Sequence, residues 1–142
     1  MAGSLTATHS ARKGKGIVRI DIALTCASGA VTAAPIGSAY GRLVGVAFDP
    51  VAGGGATMTT TADFTLTDAV TGATIFSTLD FGTARLIRPT QNVTSNVGVA
   101  VTAATTAVDV NRDIYIAGTM KAAIANATTT DTGLVSLFIE EG

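Results

Sequence analysis

The feature that most constrains the fold is a repeated alternation of apolar and polar residues with a period of two. In GIVRIDIALT (16–25), apolar residues occupy every second position from Val18 to Leu24, and Arg19 and Asp21 lie between them. Successive side chains of a β-strand point to opposite faces, so this pattern predicts a strand with one buried face. No segment of useful length shows the 3.6-residue period of a helix. The sequence therefore predicts an all-β protein.

The same pattern recurs along the chain. AYGRLVGVAF (39–48) predicts a strand that ends at Asp49-Pro50, since proline cannot continue a strand ladder. In it the even-numbered residues from Tyr40 to Phe48 alternate with Gly41, Leu43, Gly45 and Ala47. ADFTLTDAVTGATIF (62–76) predicts a hairpin, in which Asp68 starts the turn and Gly72 supplies a positive φ. Further strands are predicted over ARLIRP (84–89), NVGVAVTA (96–103), RDIYIAGTMKAAIA (112–125) and GLVSLFIEE (133–141). About seven or eight short strands indicate an antiparallel β-sandwich or a jelly-roll-like barrel.

Residues 1–16 differ from the rest of the chain and predict an extended basic arm in front of a domain over 17–142. The arm is small, polar and glycine-rich, and it carries His9, Arg12, Lys13 and Lys15. Ordering sixteen residues costs on the order of 15–30 kcal/mol of backbone entropy. An ordered arm would therefore have to lie against its own domain or against a neighbouring chain.

The composition predicts contact with other protein subunits. Charged residues make up 13% of the chain and hydrophobic residues 47%, with a mean hydropathy of +0.47; about 25% charged is usual. Apolar runs are far shorter than the ~20 residues of a spanning helix, so no membrane is expected. Obligate interfaces are poor in charge and resemble a cut core. The net charge of −1 gives no case for nucleic acid, and the absence of an apolar leader predicts synthesis in the cytoplasm.

Asp131-Thr132-Gly133 is the one triplet with a possible catalytic meaning, because Asp-Thr-Gly supplies a catalytic carboxylate in dimeric aspartic proteases. There a hydrophobic strand runs directly into the triplet, whereas Thr128-Thr129-Thr130 precedes it here. We therefore interpret the triplet as the turn that opens the last strand.

Other candidates for chemistry are equally weak, so neither an enzyme nor a cofactor is predicted. His9 is the only histidine and Cys26 the only cysteine, which leaves no nucleophile–base pair and no set of metal ligands at suitable spacing. Several aspartates fall at predicted strand ends. Their expected role is to cap turns, with calcium binding as the alternative.

The basic residues of the arm leave three interpretations open: a solvated tail, a contact with nucleic acid, or an arm docked on an acidic protein surface. Glu140 and Glu141, near the other end of the sequence, could provide that surface on a neighbouring copy. We expect the arm residues His9, Arg12, Lys13 and Lys15 to bind a partner.

At this point the chain resembles the capsid cement, or head decoration, proteins of tailed bacteriophages. The resemblance covers the layout of about 140 residues: a Gly/Lys arm followed by IVRIDI (17–22), the hairpin segment DFTLTDAVTG (63–72), and the closing LVSLFI (134–139). It implies homotrimers or dimers on the outside of a capsid, at local symmetry axes. They would clamp neighbouring copies of the major capsid protein, with the arm as the clamp and the virion as the location.

Two alternatives to a cement protein remain at the level of the sequence. One is a different phage structural subunit, such as a tail, connector or fibre-base component. The other is a carbohydrate-binding β-sandwich, although two Tyr, five Phe and no Trp leave few aromatic residues for a sugar site.

Overall fold

The computed structural model describes residues 3–10, 16–51, 56–78, 85–87, 90–92, 111–128 and 130–141. Within them the protein is all-β, as predicted, and has ten strands. The predicted strand over 96–103 lies outside the described residues. The ten are β1 (Ser4–His9), β2 (Gly16–Thr25), β3 (Val31–Asp49), β4 (Ala56–Thr57), β5 (Asp63–Asp68), β6 (Thr74–Thr78), β7 (Arg85–Ile87), β8 (Thr90–Asn92), β9 (Asn111–Ala125) and β10 (Asp131–Glu141).

The strands form one sheet in the order β1-β2-β10-β3-β9-β5-β6, with antiparallel neighbours throughout. Three short strands lie off this path: β4 pairs in parallel with β10, β7 pairs with β3, and β8 pairs with β9. In the described part of the chain, β1 and β6 are the two edges and do not pair with each other. The sheet is therefore not closed into the barrel that was one of the two predicted architectures.

The longest strand, β3, is shared by the two halves of the sheet. Its residues 42–49 pair with β10, and its residues 31–43 pair with β9. We call β1, β2, β10, β7 and the second half of β3 the first wing. The second wing comprises β9, β5, β6 and the first half of β3.

A sharp bend in β3 brings the two wings face to face. Phe64 of β5 pairs with Ile124 of β9, and Ile124 pairs in turn with Val31 at the start of β3. Phe48 lies 17 residues further along β3, about 55 Å away if the strand were straight. Yet the rings of Phe48 and Phe64 meet edge-to-face with centroids 6.2 Å apart. The strand must fold back, and the core is the space between the wings.

Irregularities of pairing provide this bend and change which residues of β3 face inward. The register of β3 shifts at Val31/Ala34 and Pro35/Gly37, and again opposite Phe138/Ile139, where Val44 is the extra residue. A bulge reverses which residues face inward, so Leu43 is buried before it and Val46 and Phe48 after it. The residues that alternate from Tyr40 to Phe48 therefore do not share one face: Tyr40 is exposed and Phe48 is buried.

Elsewhere the alternation places residues as predicted. Val18, Ile20, Ile22 and Leu24 of β2 are buried, as are the inward residues of β10 (Val135, Leu137, Ile139) and of β9 (Ile114, Ile116, Met120, Ala122, Ile124). The predicted hairpin is β5–β6: the N–H of Gly72 donates to the carbonyl of Asp68 at 2.9 Å, and Gly72 has φ +75°. In strands without bulges, residues that alternate in the sequence also alternate between the buried and the exposed face of the sheet.

We expect Phe64→Ala to be among the most damaging single substitutions. Phe64 is fully buried and contacts both Phe48 and Phe76, so truncation leaves a cavity between the wings. The loss should be about 3–5 kcal/mol in the free energy of unfolding, measured by urea denaturation. Val70→Ala is the control, since Val70 is 88% exposed in the β5–β6 turn. Equal stability of the two variants would contradict a core between the wings.

Candidate functional site

Asp131, the residue that raised the question of catalysis, is buried at the start of β10 and is fully engaged in holding loops. Its Oδ2 atom accepts hydrogen bonds from the backbone N–H groups of Thr59 and Thr128, both at 2.9 Å. Its backbone carbonyl accepts from the N–H of Cys26 at 2.8 Å. Asp131 therefore joins three segments, two through its carboxylate and one through its backbone carbonyl, which agrees with the interpretation of the triplet as a structural turn.

His9 of the predicted arm is bound to its own domain. Residues 4–9 form β1, which pairs with residues 20–25 of β2, and Leu5 and Ala7 pack against the core. The Nε2–H group of His9 donates to the carbonyl of Ile36 at 2.8 Å. A Cβ atom at Gly37 would overlap the His9 ring, and Gly37 also has φ +108°. The absence of a side chain at Gly37 therefore leaves the space that the His9 ring occupies.

The other predicted contact residues are distributed as follows. Glu140 lies on β10 and accepts a hydrogen bond from Nη2 of Arg42 at 2.9 Å, forming an ion pair between neighbouring strands. Glu141 ends β10, level with Gly16 of β2. Arg12, Lys13 and Lys15 lie outside the described residues. Glu140, one of the two acidic residues that the sequence offered to a neighbouring copy, is thus already paired within the chain.

The outer face of the first wing carries an apolar groove of about 420 Å³. Ile17 is 61% exposed and Leu86 is 69% exposed, so large aliphatic side chains project into solvent. The guanidinium of Arg19 lies 5.5 Å from the centroid of the Phe138 ring and covers part of the groove's edge. The lining residues come from β2, β3, β7 and β10: Ile17, Val44, Gly45, Leu86, Ile87 and Phe138.

A polar cluster adjoins Phe138 on the same face. Oδ1 of Asp21 accepts hydrogen bonds from Oγ of Ser136 at 2.6 Å and from Nε of Arg19 at 2.7 Å. Burial favours the neutral form of this carboxyl, but the Ser136 and Arg19 hydrogen bonds and the Arg19 charge outweigh it and lower the pKa of Asp21. The cluster fixes Arg19 over the Phe138 ring.

The outer face of the second wing presents two tyrosines. Tyr40 of β3 is 66% exposed and Tyr115 of β9 is 71% exposed. Residue pairs Tyr40–Ala117 and Arg42–Tyr115 are level across the two strands, which makes the tyrosines diagonal neighbours on one face. Among the described residues, this pair and the groove are the two places where exposed aromatic or large aliphatic side chains lie on a sheet face.

Sequence reasoning missed both features. Ile17 lies two residues before Arg19 and four before Asp21, so it belongs to the face of β2 that was predicted to contact solvent. This spacing could have identified Ile17 as exposed. The exposure of Tyr40 on the face opposite Phe48 was not predicted, because it depends on the bulge at Val44, which cannot be recognised from alternation alone. Leu86 joins the groove through the pairing of β7 with β3, a long-range contact that a three-residue segment does not reveal.

The described residues contain no group of three or more His, Cys, Asp or Glu side chains that could hold a metal ion. Burial raises the pKa of the Cys26 thiol, and the nearby Asp131 adds to this effect. Among the same residues no helix is long and apolar enough to cross a membrane.

No protein family, curated protein or solved structure matches the chain.

Replacing Asp131 by alanine should destabilise the protein, because a buried carboxylate and its two partly buried hydrogen bonds to backbone N–H groups are lost. We expect a loss of about 2–4 kcal/mol in the free energy of unfolding, measured by urea denaturation. Asp131→Asn keeps one oxygen acceptor and should lose less. If the alanine variant unfolds at the wild-type urea concentration, Asp131 does not hold these loops together.

The hydrogen bonds of Asp21 predict a dependence of stability on pH. Because its pKa is lower in the folded state, the carboxylate stabilises the fold at pH values above its unfolded pKa. That contribution disappears as the pH falls through the folded-state pKa. The stability difference between wild type and Asp21→Asn should therefore shrink between about pH 6 and pH 2, measured by urea denaturation. A difference that stays constant over this range would assign the effect to packing instead of charge.

Proposed function

We propose that the protein is a structural virion component, which binds the outside of a tailed-bacteriophage capsid and stabilises it by clamping neighbouring major capsid subunits. The observation that carries this proposal is the apolar groove on the first wing. The resemblance in layout to capsid cement proteins and the low charge content of 13% support it. The proposed role is one of binding, without an enzymatic step.

The chemistry of the groove suits a protein partner. Ile17 and Leu86 come from strands far apart in sequence and meet on one exposed face. Burying them against another subunit would contribute roughly 25 cal/mol for each Å² of apolar surface removed from water. Arg19, held by Asp21 beside the Phe138 ring, provides a charged rim of the kind that surrounds the apolar centre of many interfaces.

The proposed partner of the groove is the major capsid protein. A ligand that binds only the assembled lattice stabilises that lattice in proportion to RT ln(1 + [L]/Kd). A homotrimer, or a dimer, placed at a local symmetry axis would engage several capsid subunits at once and gain avidity. In this arrangement each weak contact contributes to a clamp that a single copy could not provide.

The basic residues of the arm have a more limited role in this proposal than the sequence suggested. Since residues 4–9 form β1 and His9 donates to Ile36, the part of the arm left for a partner is the segment between β1 and β2. It contains Arg12, Lys13 and Lys15. We propose that these cations add an electrostatic contact with an acidic region of the capsid.

The experiment that tests the proposal is co-sedimentation with capsids. The protein is expressed together with the major capsid protein encoded by the same genome, and particles are separated on a density gradient. We expect wild-type protein to migrate with the particles, and Leu86→Asp and Ile17→Asp to lose at least 90% of particle binding, because burying a carboxylate costs several kcal/mol. Val70→Asp is the matched control, since it adds the same charge at an exposed site on the second wing.

Three results would contradict the proposal: no wild-type protein on particles, equal loss in the Val70→Asp control, or a source genome without a capsid gene.

The contribution of the arm can be tested separately from that of the groove. Replacing Arg12, Lys13 and Lys15 by serine keeps β1 intact, and should weaken binding most at low salt, where charge contacts are least screened. Full binding by this variant at low salt would exclude an electrostatic arm.

A further inference from the structure

The tyrosine pair on the second wing is unusual for this chain. The sequence contains only two tyrosines and no tryptophan, and both tyrosines are exposed on the same sheet face. Phe48 and Phe64, in contrast, are buried between the wings. Aromatic side chains that remain two-thirds exposed add little to folding, and they provide rigid contact area for a ligand.

The strand register places the two rings on the same face of two neighbouring strands. Tyr40 is level with Ala117, and Tyr115 is level with Arg42 on the neighbouring strand. Diagonal neighbours of this kind lie about 7–8 Å apart, so both rings can contact one extended ligand. The small side chain of Ala117 leaves the side of Tyr40 that faces β9 open.

Polar groups flank the rings at both ends of the same strands. On one side, Oγ of Ser38 and Oγ1 of Thr119 form a hydrogen bond at 2.8 Å. On the other side, Arg42 and Glu140 form their ion pair at 2.9 Å. At the foot of Tyr115 there is a small groove of about 150 Å³, to which Asp68 and Thr119 contribute polar groups. Hydroxyl, carboxylate and guanidinium groups therefore surround an aromatic centre.

We propose that this face, which we call the tyrosine platform (Tyr40, Tyr115, Ser38, Thr119 and Arg42), binds a neutral hexose polysaccharide. A sugar ring has one apolar face of C–H groups, which suits the electron-rich face of an aromatic ring, and a rim of hydroxyls that pair with flanking polar groups. This inference is independent of the proposed role on capsids.

The charges of the platform favour a neutral ligand. Arg42 is paired with Glu140, and the carboxylate of Asp68 is bound by the hydroxyl of Thr71 at 2.7 Å. Nucleic acid depends on several cations to contact its phosphates, and the platform offers a single guanidinium that is already paired. The groove at Tyr115 has the size of one ring, which accommodates a chain of sugars better than the surface of a folded partner.

The test is native electrophoresis of the full-length protein in gels that contain a soluble glucan, galactan or mannan. We expect at least one polysaccharide to retard the wild-type protein. Tyr40→Ala and Tyr115→Ala should each weaken binding roughly tenfold, the scale of one lost stacking contact. Tyr40→Phe and Tyr115→Phe keep the ring and should retain most of the retardation. Val51→Ala, which truncates an exposed side chain outside both the groove and the tyrosine pair, should behave like wild type.

Circular dichroism of each variant checks that it is folded, so that a loss of retardation can be assigned to the ring. The proposal is overturned if no polysaccharide retards the wild-type protein, or if the double variant Tyr40→Ala/Tyr115→Ala is retarded equally. It is also overturned if the double variant loses capsid binding while the wild type binds no polysaccharide, since the platform would then be a protein contact.

Discussion

The bend of β3 is the constraint on which the rest of the structure depends. One nineteen-residue strand pairs with β10 along its second half and with β9 along its first, so both wings are attached to the same backbone. Without the bend, Phe48 and Phe64 would lie on distant parts of a flat sheet, and each wing would expose its apolar face. The bulges of β3 therefore convert an open sheet into a structure with an interior.

The bend also separates two outer surfaces of different chemistry. The first wing presents aliphatic side chains, with Ile17 and Leu86 around a groove and Arg19 at its edge. The second wing presents Tyr40 and Tyr115 among hydroxyls and one ion pair. A low-charge chain folded in this way has two faces available for different ligands, one suited to apolar burial and the other to stacking.

The sequence predicted regular elements well and irregular ones poorly. The buried residues of β2 and β10 and the hairpin with Asp68 and Gly72 follow from local rules: a period of two, and a turn that requires positive φ. The inward face of β3 could not be predicted, because inserting Val44 reverses parity and alternation does not mark where a bulge occurs. For the arm, composition indicated the absence of a core but not that residues 4–9 would pair with β2. The groove and the tyrosine platform were missed because each arises where strands distant in sequence become neighbours.

The place of β10 in the sheet has a consequence for how the protein is made. This strand is the last of the described strands in sequence, yet it lies between β2 and β3, which are adjacent to it on either side. During synthesis, β2 and β3 emerge from the ribosome long before the strand that joins them. Until β10 is inserted, two apolar strands expose unpaired edges, which favours association with other chains. Folding of the first wing is therefore expected to wait for the synthesis of β10 and to be slow and limited by non-local pairing, and chains that lack β10 should depend on chaperones to stay soluble.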